Sequence, residues 1–122
     1  MRNVLVALPL SALLAAHGAS AFAYTGNELF ADCGQDRRSA AYGRCVGFVE
    51  GILVGAVYGG AYEVGKTGSG STVYRPFCVA DGVTIGQLAD IVAKYLGENP
   101  KDRHRDAAVL IIQAVLQNFS CR

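Results

Sequence analysis

Gly43-Arg-Cys-Val-Gly47-Phe-Val-Glu-Gly51-Ile-Leu-Val-Gly55-Ala-Val-Tyr-Gly59 decides how this 122-residue chain folds. A glycine returns every four residues, and nearly everything between is apolar. That spacing lines Gly43, Gly47, Gly51, Gly55 and Gly59 along one side of a helix. One reading is a membrane span whose Gly-x-x-x-Gly contacts let helices approach closely. Two features oppose it. Glu50 lies near the middle, at a cost of a few kcal/mol in a bilayer. Arg44 and Glu63 leave about 18 residues between them, the least that spans. The preferred reading is the central helix of a small bundle, from about Ser39 to about Tyr62. Its stripe would admit a neighbouring helix or a second subunit. Each glycine costs about 1 kcal/mol against alanine in a helix, so close packing has to offset the stripe.

Outward from this helix, the chain opens with Met1-Arg2-Asn3, an apolar run from Val4 to Ala16, and Ala21-Phe22-Ala23. A basic start, a short apolar middle and an Ala-x-Ala end are the parts of a secretory signal peptide, here cleaved after Ala23. The remaining segment, 24–122, is one domain with room for a single modest core. Eleven Lys and Arg less Arg2 gives ten, against ten Asp and Glu. Near-neutrality of this kind points away from nucleic acid and from an anionic membrane as partners.

Polar breaks and caps divide the rest into helices. Thr25-Gly-Asn-Glu28 has the spacing of a capping box, and so does Thr84-Ile-Gly-Gln87. After the second box, Ile85, Leu88, Ile91, Val92, Tyr95 and Leu96 share one helical face. Asn99-Pro100 reads as cap and first residue of a last helix carrying Ala107, Leu110, Ile111, Ala114, Val115 and Phe119. No alternating strand pattern occurs. The expected fold is all-α, a bundle of four to five helices.

Four cysteines, Cys33, Cys45, Cys78 and Cys121, follow the export signal. An even number in an oxidising compartment reads as a disulfide framework. No Cys-x-x-Cys occurs, and His104 is the only histidine beyond the signal, so redox-motif and zinc readings lack their basic unit. No metal and no cofactor is expected. Antiparallel first and second helices would set Cys33 and Cys45 two turns apart, about 9–11 Å, beyond the roughly 7 Å limit for a bridge. This favours Cys45–Cys78 with Cys33–Cys121 and leaves the third pairing open.

Nothing assembles into a catalytic constellation. His104 sits in a charged helix start, no serine lies in a nucleophile elbow, and the acids are scattered. Glu50 alone is embedded in apolar sequence, where a raised pKa or a bond to a neighbouring helix would both fit. Gly65-Lys66-Thr67 resembles the tail of a phosphate-binding loop but has no strand before it. The chain reads as a protein without enzyme activity. The glycine- and serine-rich connection offers Thr67, Gly68, Ser69, Ser71, Thr72, Tyr74 and Arg75 as a partner-binding loop, since Tyr and Arg supply anchoring area and charge.

Gly26-Asn-Glu-Leu29 with Cys33, and Cys45-Val-Gly-Phe-Val-Glu-Gly51, resemble the opening of the Tai/Rap group, immunity proteins against type VI secretion amidases. Phe77-Cys78, Gly82-Val-Thr-Ile-Gly-Gln-Leu88, Tyr95-Leu96, Pro100, Ala107-Ala108 and Phe119-Ser-Cys121 resemble its second half. Ser120 stands where proline is common in the family, and the glycine stripe is denser than the family's. The resemblance implies a periplasmic, disulfide-stapled, all-helical homodimer that blocks a cognate peptidoglycan amidase. It also implies a fold comparable to the acid-stress chaperone HdeA. An HdeA-like chaperone and a glycine-zipper envelope protein are therefore the alternative readings, although no membrane insertion of the mature chain is expected.

Overall fold

The computed structural model describes residues 24–66 and 76–121. Four α-helices follow in order: α1 (Gly26–Cys33), α2 (Ala40–Lys66), α3 (Ile85–Glu98) and α4 (Ala107–Phe119), with a 3-10 turn at Pro100–Asp102 between the last two. There is no strand among the described residues beyond an isolated bridge between Thr25 and Asp106. The all-α expectation holds.

Both capping boxes form. Thr25 accepts from the Glu28 amide while the Glu28 carboxylate accepts from the Thr25 amide at 2.8 Å. Thr84 and Gln87 repeat the exchange at the start of α3. Each box pairs two amides that a helix start leaves without partners. Gly82, at φ 85°, makes the turn just before α3 in a conformation that side chains resist.

One core joins the four helices. Leu29 of α1, Cys45, Val49 and Leu53 of α2, Leu88, Val92 and Leu96 of α3, and Leu110, Ile111 and Val115 of α4 are buried together. Full burial of a Leu, Ile or Val contributes about 1.5–3 kcal/mol each. This set is the main force holding the helices side by side.

The last helix begins later than expected. Asn99 does not cap the turn that follows it; its side-chain Nδ2 and its backbone N both donate back to the Tyr95 carbonyl at the end of α3. The cap of α4 is Asp106, whose carboxylate accepts from the Ala108 amide at 2.8 Å. The cause is nonlocal. Residues 103–107 run against the start of the described chain, with Asn27 N donating to Arg103 O, Gly26 N to Arg105 O and Ala107 N to Tyr24 O, at 2.7–2.9 Å. Those bonds hold the segment out of the helix.

The disulfides also differ from the expected pairing. The bridges are Cys33–Cys45 and Cys78–Cys121, with α-carbons 5.1 and 5.0 Å apart. The expected Cys45–Cys78 and Cys33–Cys121 bonds do not form. Residues 34–39 carry the chain back far enough for the end of α1 to meet the second turn of α2 directly. At the other end, Cys78 N donates to Phe119 O at 2.7 Å, which brings Cys78 beside Cys121.

Candidate interaction surface

The helix α2 is apolar on every side, yet only one side reaches the core. Cys45, Val49 and Leu53, spaced by four, face inward and are 0–5% exposed. The opposite side carries the glycines. Gly43, Gly47, Gly51, Gly55 and Gly59 are all exposed, and a Cβ built on any of them meets nothing within 4 Å. Among the described residues, no neighbouring helix packs on the stripe. An apolar helix normally buries its whole circumference; here a smooth strip of backbone is left bare.

Two large side chains border the strip. Val54 is 47% and Tyr58 73% exposed. Toward the end of the helix, a shallow groove of about 270 Å³ runs between Leu53, Val54, Val57, Tyr58, Phe77, Val79 and Leu88. Toward its start, Tyr24, Arg44, Gly47 and Phe48 line a second apolar hollow. The two hollows lie toward opposite ends of the helix, with the exposed charges Arg44 and Glu50 beside the strip. Glu50 is exposed on this helix rather than bonded to a neighbouring one.

The near end of the surface is fixed by a charged cluster. Arg44 forks onto Asp32 through Nε at 3.1 Å and Nη2 at 2.8 Å. The Tyr24 hydroxyl donates to the same carboxylate at 2.6 Å, and its ring meets Phe48 edge-on at 4.7 Å. Hydrogen bonds from Arg44 and then Tyr24 hold the Asp32 carboxyl below the usual carboxylate range. Burial, followed by the donation to Asp32, pushes the Tyr24 hydroxyl well up. Both groups therefore stay in one protonation state near neutrality, and the cluster ties α1 to α2 beside the Cys33–Cys45 bridge.

Ala40–Gly60 is long and apolar enough to cross a membrane by length and composition. Its inward side is spent on the core and on the bridge to Cys33, and a span would have to give up both. No group of three or more His, Cys, Asp or Glu suited to a metal occurs among the described residues. His104 is exposed, with Nδ1 at 2.9 Å from the Lys101 carbonyl. The expected partner loop, Thr67, Gly68, Ser69, Ser71, Thr72, Tyr74 and Arg75, lies outside the described residues. Sequence reasoning missed the paired grooves, because Phe77 and Val79 approach α2 only through the tertiary fold.

A helical frame with two disulfides and a broad bare face is suited to binding by surface. Residues 25–121 match the family model of the Rap1a immunity proteins. The chain belongs to that family. No curated protein and no solved structure matches it. The Rap1a match takes in both capping boxes, all four cysteines and the whole of the glycine-faced helix, so the entire described fold is the family's domain.

Proposed function

We propose that the chain is an exported immunity protein that binds and silences a cognate type VI secretion effector, and that the effector is a peptidoglycan amidase. The observation that carries this reading is the Rap1a family match across residues 25–121. Three features support it. The amino-terminal 23 residues have the composition of a cleavable export signal, which supports a periplasmic mature chain. Two disulfides suit that oxidising compartment. Binding by shape needs no catalytic group, and the chain acts as a stoichiometric inhibitor rather than an enzyme.

Two surfaces share the work in this reading. The bare face of α2 joins two copies into a homodimer, since glycine lets backbones approach and Val54 and Tyr58 gain cover. The connection carrying Thr67–Arg75 enters the effector's cleft. The experiment is co-expression with a candidate amidase from the neighbouring gene, directed to the periplasm. Rescue of growth and co-purification of the two proteins are expected. Lysis that continues despite normal levels of the immunity chain would exclude that amidase as the target. Deleting Gly68–Thr72 tests the loop separately, because unchanged protection would remove it from the contact.

A further inference from the structure

The corner where Pro100–Asp102 leads into α4 holds an arginine unlike its neighbours. Arg37 donates through Nη2 to both Asp90 oxygens, Arg44 forks onto Asp32, and Arg105 lies 3.9 Å from Asp102. Arg103 has no carboxylate in reach among the described residues. Its guanidinium carbon sits 4.4 Å from the centroid of the Phe30 ring, and its Nε is sealed from solvent without an acceptor. The backbone beneath it is pinned as well. Arg103 O accepts from Asn27 N at 2.7 Å, and a Cβ on the buried Gly26 would lie 2.9 Å from that oxygen.

This arrangement presents more than it stabilises. A charged N–H sealed away from any acceptor opposes folding, and stacking on an aromatic ring returns part of the loss. What the stacking does achieve is a guanidinium whose torsions are already fixed, so little freedom is lost when it takes an anion. With Nε closed off, a ligand can use only the Nη1–Nη2 edge. Two parallel N–H groups on one edge match the two oxygens of a carboxylate. Lys101 and His104 are exposed on the same short stretch of chain. The nearby acids are engaged elsewhere: Asp102 beside Arg105, Asp106 on the Ala108 amide, and Glu98 at 3.8 Å from Lys94.

We propose that Arg103, stacked on Phe30 and flanked by Lys101 and His104, anchors a carboxylate from the surface of a protein partner. An Asp or Glu side chain or a chain terminus would serve. The site's chemistry holds whether or not the partner is an amidase.

The test records the Nε–Hε resonances of the arginines in the 15N-labelled protein. N-acetyl-glutamate, N-acetyl-glutamine and inorganic phosphate are added in turn at constant ionic strength. The Arg103 signal should move saturably with the acid, at least about threefold further than that of the exposed Arg38, and stay still with the amide. Movement no larger than that of Arg38 overturns the assignment. An equal response to phosphate overturns the carboxylate preference and leaves a general anion site. Arg103→Met keeps Phe30 covered without the charge. It should abolish the saturable backbone amide shifts that the acid causes at residues 101–104, with Tm unchanged or raised. A fall in Tm of more than about 5 °C would instead make Arg103 a structural clamp and sink the proposal.

Discussion

Glycine is used in two opposite ways in this molecule. At the start of α1, Gly26 is buried where a side chain would strike Leu110 and the Arg103 backbone. Along the outer side of α2, a Cβ on any of five glycines would meet nothing within 4 Å among the described residues. The first is a close approach completed within the chain. The second is a close approach prepared and left open. The lesson is that a helix can keep glycines, each costing about 1 kcal/mol, with no packing among the described residues to offset them. The offset then has to come from outside.

The sharpest way to break this comparison is to add one methyl group at each place. Gly26→Ala should cost about 3 kcal/mol, the upper end for overpacking, because a backbone carbonyl lies in the way as well as Leu110. For a domain of this size that lowers Tm by more than about 10 °C. Thermal unfolding measures it, and a loss of under 2 °C would show that the corner yields.

The same order of effect is expected where α2 is fastened on its inner side. Replacing Cys33 and Cys45 together by serine opens a closure of 12 residues in sequence, which should cost about 3 kcal/mol. Denaturant midpoints would record it. The outer face should be indifferent to this change so long as the protein stays folded.

Alanine at Gly47, Gly51 and Gly55 together should have the reverse sign. With nothing within 4 Å of the added methyl groups among the described residues, the isolated chain should gain about 3 kcal/mol from helix propensity. Self-association, followed by sedimentation, should weaken because the backbones can no longer approach. A destabilised monomer would end the contrast between the two kinds of glycine.

The smallest effect concerns the cluster at the near end of the face. Asp32→Asn should cost about 1 kcal/mol, since Arg44 is 63% exposed and solvent screens the pair. Asp32 is held below its ordinary pKa, so its contribution is present above about pH 4 and is lost as pH falls through the lower, folded value. The variant should flatten the acid limb of the stability curve. An unchanged limb would mean that other carboxylates dominate acid unfolding.

How much of this was legible beforehand follows from the range of each cause. The two capping boxes and the apolar face of α3 are local patterns, and they appear as read. The late start of α4 was not legible, because Asn99-Pro100 is a good local start and the competing bonds come from Tyr24, Gly26 and Asn27. The disulfide pairing failed for a related reason. Spacing along a helix says nothing of how two helices meet, and the end of α1 meets α2 at its second turn. Periodicity located the glycine stripe but not the direction it faces, because its neighbours Val46, Val49, Leu53 and Val54 are apolar on both sides. Only the position of Cys45 in the core decides that.

The observed bridges give the chain an unusual covalent graph. One ring closes over residues 33–45 and the other over 78–121, and the two share no residue. Residues 46–77, with most of the glycine-faced helix, belong to neither. A single cut anywhere in that stretch leaves two polypeptides with no bond between them, which part on a non-reducing gel. Had Cys45 been joined to Cys78, the same cut would have left one molecule.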